Sequence, residues 1–446
     1  MINFKELDLL RSALEKLEQG VADLPDFAPH TDTERAAAVL AEVGRRMQDN
    51  YPYFHPLYAG QMLKPPHPIA RIAYALSLWV NPNNHALDGG RASSAMEKEC
   101  IVELGRLFGW EEPLGHLAGG GTMANLEALW VAGRLRPGKK IIASAMAHYT
   151  HNRISDVLGI AFAEVAVDHG GRMDVAAVEQ AVSKGDVGTV VVTIGTTGLG
   201  AVDPLPDILA LREKYDFRVH ADAAYGGYFG LAATTSNETK AALAALGEVD
   251  SIVVDPHKHG LQPYGCGCVL FRDPAVGRFY RHDSPYTYFS SDELHLGEIT
   301  LECSRPGAAA VALWATHRLL PLRPGGEFAA GLDACLRAAR EFWTRLAASD
   351  RFTPLVQPQL DIVTYAVNAD TATEASRLAQ ATFENAAQRD LHLALIELPV
   401  EFVRHYAPHI AADARRVTCL RSVLMKPEHE DWVPRITALL EESAAA

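Results

Sequence analysis

The run Ser251-Ile252-Val253-Val254-Asp255-Pro256-His257-Lys258-His259-Gly260 sets a lysine just after a short apolar stretch that reads as a buried strand. Ammonium groups prefer exposed faces, so a lysine at this place is unusual. At a strand end in a low-dielectric cleft a lysine can give up its proton, and its amine can then attack a carbonyl group. The competing reading is a surface lysine in a turn, which the apolar strand and the flanking His-Pro and Gly residues disfavour. Upstream, Val219-His220-Ala221-Asp222-Ala223-Ala224-Tyr225-Gly226-Gly227 ends another strand in an acid, followed by residues too small to cover it. A carboxylate with apolar neighbours needs a cationic partner, such as a protonated ring nitrogen. Standing by itself, the segment reads more readily as holding a metal-binding or helix-capping aspartate.

Around these two runs the chain alternates. Strand-like segments at 140–145, 162–167, 189–194, 218–221, 251–254 and 266–271 are separated by helix-forming stretches, among them 95–108, 123–135 and 205–214. Asp174 offers an N-cap for a helix ending near Lys184. Short strands alternating with longer helices spell an α/β domain with a mainly parallel sheet, whose ligands sit outside the carboxyl ends of the strands. Residues 1–93 read as an arm: a helical start, Pro/His-rich turns over 51–68 and a loop over 81–91. The large domain is expected over 94–307 and a smaller, helix-rich C-terminal α/β domain over 308–446.

Composition narrows the function. The chain has 446 residues, 48% hydrophobic and 22% charged, ample for a large core and too long for one minimal domain. Its net charge of −14, with both signs mixed along the chain, disfavours nucleic acid as a partner. The six cysteines include no C-x-x-C pair, and Cys266 and Cys268 read as small strand residues rather than zinc ligands. That usage fits a reducing cytoplasm. The first twenty residues lack the basic flank, apolar run and cleavage site of a secretory signal, and nothing approaches the ~18 apolar residues of a membrane helix. No membrane partner and no bound metal are expected.

A third element is Gly119-Gly120-Gly121-Thr122-Met123-Ala124-Asn125. Three glycines let the backbone approach a ligand, and a helix begins at once, so free N–H groups and the Thr122 hydroxyl could hold a phosphate. The run is neither G-x-G-x-x-G nor G-x-x-x-x-G-K-[ST], so dinucleotide and P-loop readings fail. A flexible turn before a helix is the plain alternative. Taken together, a phosphate turn, a carboxylate for a pyridinium and a lysine for an aldehyde point to one cofactor, pyridoxal 5′-phosphate (PLP).

These residues, with Ala147-His148 between them and Arg421-Ser422-Val423-Leu424 near the C-terminus, resemble the group II PLP-dependent amino acid decarboxylases, which include the aromatic L-amino acid, tyrosine, histidine and glutamate decarboxylases. The likeness covers nearly the whole chain. It implies the type I PLP-enzyme fold: an arm, a mainly parallel seven-stranded sheet with helices on both faces, and a small C-terminal α/β domain, assembled as a homodimer with sites at the interface. By the resemblance, Lys258 bonds the cofactor aldehyde, Asp222 keeps the ring nitrogen protonated, and His148 stacks on one ring face opposite Ala224. Thr197 lies near the ring oxygen, Gly121 and Thr122 bind phosphate, and His257 contacts phosphate or substrate. Taken alone, His148 is one of eighteen histidines and reads as a loop residue.

The chain departs from the family at Met123, where many relatives carry glutamate, and at His259, where tryptophan is usual; both bear on specificity more than on reaction class. In the run 279–298, Tyr286 and Tyr288 are the two candidates for the family's loop tyrosine that protonates the substrate carbon after CO2 leaves, and packing tyrosines are the alternative. The expected activity is decarboxylation of an L-amino acid to its amine. A carbon–carbon lyase, an aminotransferase or an aldehyde-forming oxidative deaminase can use the same fold, and an inactive binding protein is the last alternative. Tyr58, Gln61, Leu63 and His85 are candidate walls of the substrate pocket, in part across a subunit boundary, and their neutral, partly aromatic character suits an aromatic substrate. Arg305 is a candidate for phosphate or substrate carboxylate, with a structural ion pair as the alternative. An acidic substrate would need a cation such as Arg91 turned inward.

Overall fold

Seven strands make the larger sheet: β1 (Leu114–Ala118), β2 (Lys140–Ser144), β3 (Phe162–Val165), β4 (Val187–Thr193), β5 (Arg218–Asp222), β6 (Ser251–Val254) and β7 (Gly267–Phe271). Their order is β1-β7-β6-β5-β4-β2-β3, parallel from β3 through β6, with β7 antiparallel to both of its neighbours. The computed structural model describes residues 3–25, 27, 31–85, 89–281 and 300–444. Strand β4 reads VGTVVVT and is buried along its whole length, as a central parallel strand covered on both faces must be. Asp174 caps the helix Val175–Val182, its carboxylate accepting from Ala177 N at 2.8 Å.

Strand β1 was not apparent from the sequence, because Leu-Gly-His-Leu-Ala after a proline looks like a turn. Its glycine is structural: a Cβ on Gly115 would lie 2.6 Å from the Val269 carbonyl oxygen of β7. The helix expected over 205–214 ends at Ala210 and tightens into a 3-10 turn over Leu211–Glu213. Cys268 lies buried in β7 and Cys266 just before it, and burial pushes both thiols up.

A second, antiparallel sheet has the order β10-β11-β9-β8, from β8 (Phe352–Pro354), β9 (Ile362–Val367), β10 (Ala394–Pro399) and β11 (Arg416–Val423). Helices Glu327–Ala347 and Ala372–Ala387 pack on it and His429–Ser443 packs on both helices, around Phe342, Tyr365, Leu420 and Ile436. Helix Gly307–Leu319 packs instead on Pro68–Ser77 and Arg91–Leu107. At the other end of the chain, helices Lys5–Gln19 and Thr33–Met47 bury none of their residues, leaving Leu7, Leu9, Leu40 and Met47 exposed. No helix among the described residues is long and apolar enough to cross a membrane.

Candidate active site

The parallel register brings the ends of three strands level, with Thr193 beside Asp222 and Asp222 beside Val253. Asp222 is the last residue of β5, and its Oδ2 lies 2.9 Å from His151 Nε2 in the helix Thr150–Val157. Burial pushes this carboxyl up, but the His151 hydrogen bond and the charges of His151 and Lys258 outweigh it and hold the group well below the usual carboxylate range. Behind it, His220 lies between Asn125 and Ser251, each 2.8 Å away, and burial pulls its imidazole down to about 3.

Strand β6 ends one residue before Asp255, and the chain then turns so that Lys258 N donates to the Asp255 carbonyl at 2.9 Å. Lys258 Nζ lies 3.2 Å from Asp255 Oδ2, and His257 Nε2 lies 3.5 Å from the same oxygen. The His257 ring packs on Tyr264 with centroids 4.8 Å apart. Burial pulls both His257 and His148 below the ordinary histidine value. Thr150 fixes His148 by hydrogen bonding to its Nδ1.

The glycine turn faces the same space. Gly120 has φ +155°, and a Cβ on Gly121 would lie 2.6 Å from Asp255 Oδ2, so the backbone here can be approached only because side chains are absent. The helix Gly121–Leu135 that follows has no acidic residue in its first turn to occupy its positive end. Glu302 sits at the entrance and accepts from Gly119 N at 2.9 Å.

Gly121, Thr122, His148, Thr197, Asp222, Ala224, His257 and Lys258 all line one cleft of 610 Å³. Met123 lines it too, whereas His259 turns away, its Nε2 3.1 Å from Asp361 Oδ2. Sequence reasoning missed His151, Asp255, Thr193 and Glu302. For His151 there was a signal, a second histidine three residues after His148, where the chain turns into the helix and His151 N donates to the His148 carbonyl at 3.2 Å.

None of the proposed substrate walls Tyr58, Gln61, Leu63 and His85 lines the cleft within its own chain. Tyr58 is buried against Tyr53 and Tyr51, and its hydroxyl accepts from Gln61 N at 3.3 Å. Gln61 accepts from Arg421, whose other terminal nitrogen donates to the Thr197 carbonyl at 2.9 Å, so it stands one residue behind the cleft. Leu63 is partly buried in the arm, and His85 faces Cys303 Sγ at 3.4 Å. Arg305, 6% exposed, is a structural ion pair: Nη1 lies 2.6 Å from Glu97 Oε1 and donates to the Leu117 carbonyl, and Nη2 donates to that of Asn84. Both terminal nitrogens are engaged away from the cleft, while Nε has no partner among the described residues. Arg91 is exposed at the start of its helix. Tyr286 and Tyr288 lie outside the described residues.

The donor set fits PLP: an amine for the aldehyde, an ionised carboxylate for the ring nitrogen, flat and small side chains for the ring faces, and a bare helix N-terminus for the phosphate. A family model described as the pyridoxal-dependent decarboxylase conserved domain matches residues 130–368, a span that includes His148, Asp222 and Lys258. An L-tyrosine decarboxylase of Enterococcus faecium is 26% identical, over 81% of this chain and 77% of its own. A probable L-tyrosine/L-aspartate decarboxylase of Methanothermobacter thermautotrophicus is 32% identical, over 69% of this chain and 82% of its own. The crystal structure of Oryza sativa TDC with PLP and tryptamine aligns with a TM-score of 0.78 at 16% identity, over 99% of this chain and 97% of that one, a likeness of fold. That fold is the type I PLP-enzyme architecture implied by the sequence.

Proposed function

Because the chain belongs to the pyridoxal-dependent decarboxylase family, and is thus a PLP-dependent carboxy-lyase acting on an amino acid, we propose that its substrate is an aromatic L-amino acid, converted to its amine at the cleft of Lys258 and Asp222. The observation that carries the site is the meeting of that amine and that carboxylate at adjoining strand ends in one 610 Å³ cleft. The substrate class rests on the walls. Met123, Leu126, Tyr149 and His148 offer apolar and aromatic surface, and among the described residues no arginine lines the cleft. A side-chain carboxylate would be left without a bidentate partner there.

When bound, PLP supplies an aldehyde for amino groups and a protonated ring that takes up the electron pair left by departing CO2. In this reading the chain does the rest. Lys258 Nζ would hold the cofactor through its aldehyde and, when not so engaged, could carry a proton. Asp222, kept ionised by His151, holds a proton on the ring nitrogen. The His148 ring and the small Ala224 would take the two ring faces, Thr197 the ring oxygen, and Gly121, Thr122 and His257 the phosphate. The proton that replaces the carboxylate on the substrate carbon comes from Tyr286, Tyr288 or His257.

A panel of the twenty amino acids assayed for CO2 and amine tests the substrate class: tyrosine, tryptophan or phenylalanine should lead, and preference for aspartate or glutamate would overturn it. We also propose a homodimer, supported by the two N-terminal helices whose apolar side chains Leu7, Leu9, Leu40 and Met47 have no cover in the chain. Light scattering should give twice the chain mass, and a monomer at micromolar concentration would contradict it.

A further inference from the structure

Lys258 faces the cleft, but the next residue, His259, lines a separate cavity of 510 Å³ formed by the arm, the turn after β6, the helix Glu327–Ala347 and the segment following β11. Two ammonium groups share its wall. Lys426 is 3% exposed and donates to the Tyr58 carbonyl at 2.6 Å, while Lys64, partly buried, donates to the Met425 carbonyl at 3.3 Å. Each ammonium has three donors; one on each is spent on a carbonyl and Lys426 Nζ also lies 5.3 Å from the Tyr58 ring centroid, which leaves donors on both for a ligand. Among the described residues neither lysine belongs to an ion pair. The carboxylates that also line the cavity, Glu327 and Glu428, are exposed at its rim.

His259 adds an independent sign. It is 1% exposed, and its Nδ1 has no hydrogen-bond partner among the described residues. Burial pulls the Lys426 amine down to about 7 and the Lys64 charge adds to it, while Glu428 at the rim acts against both. The remaining wall is apolar, with Leu261, Phe328 and Leu332. Buried charges are costly without a counter-charge, and a few convergent polar groups over an apolar wall are the usual make-up of a small-molecule site.

We propose that this cavity is a second ligand site, taking a small organic anion whose carboxylate sits on Lys64 and Lys426 and whose apolar body lies against Leu261, Phe328 and Leu332. The test is calorimetric titration of the PLP-loaded enzyme with 3-phenylpropionate, with neutral 3-phenylpropanol and with inorganic phosphate. The carboxylate should bind once per chain, and both the alcohol and phosphate should bind at least tenfold more weakly. Lys64→Gln and Lys426→Gln should each raise the Kd of 3-phenylpropionate at least tenfold, and Leu332→Trp should do so by filling the hollow. Lys64 makes one long hydrogen bond, so Lys64→Gln should keep the visible absorbance of the bound cofactor, which reports an intact fold. An unchanged Kd in that variant with the absorbance intact, binding of the alcohol or phosphate as tight as that of the carboxylate, or no binding to the unaltered enzyme at millimolar probe would overturn the proposal.

Discussion

On one side of the turn at 257–261, Lys258 meets the carboxylate of Asp255 at 3.2 Å, with Asp222 lining the same cleft; on the other, Lys64 and Lys426 share a hollow with no carboxylate in ion-pair contact. Both places bring an amine out of water, but only the first holds a carboxylate within ion-pair distance on a strand register that fixes it; in the second, Glu428 acts on both lysines without touching them. A buried lysine alone therefore does not mark a reaction centre; the paired acid does. That contrast can be pressed with substitutions. Lys258→Ala should lower amine release by about 10⁴-fold or more, while Lys426→Gln should leave it within about tenfold. Equal losses would erase the distinction.

The pairing itself is tested next. Asp222→Asn keeps the shape and removes the charge that faces the ring nitrogen. Turnover should fall by about 10²–10³-fold or more, and near-normal turnover would remove Asp222 from the mechanism.

A smaller effect separates the two regions by pH. His220 lies behind the cleft and His429 beside Lys426, where its Nδ1 accepts from Lys426 N and its Nε2 faces the Pro56 carbonyl at 3.0 Å. Burial pulls both imidazoles down to about 3, with His151 adding to it at the first and Lys426 at the second. Each is neutral in the folded chain, whereas an unfolded histidine takes up its proton near 6.5. The stability they permit is whole above about pH 6.5 and is lost as pH falls from there toward 3, each adding a slope of about 1.4 kcal/mol per pH unit. His429→Gln should flatten the decline of the urea midpoint between pH 6 and pH 4. A slope unchanged from that of the natural sequence would contradict the assignment.

What the sequence made legible were features with local causes. The apolar runs marked β2 through β7, Asp174 marked its helix, and the residues following β4, β5 and β6 marked the cleft because a parallel sheet gathers its strand ends. Features that depend on contacts far apart in the chain stayed hidden. Strand β1 exists because Gly115 permits β7 to approach. Arg305 pairs with Glu97 across 208 positions, a partnership no spacing announces. His151 reaches Asp222 only after two elements pack, and the hollow of Lys64 and Lys426 needs the arm laid against the segment after β11.

Reduction of the PLP-loaded enzyme with borohydride, followed by digestion and peptide mass mapping, examines the central claim most directly. A single pyridoxyl group on the peptide bearing Lys258 is the predicted result. The same label on Lys64 or Lys426 in place of Lys258, or no labelled lysine at all, would contradict it.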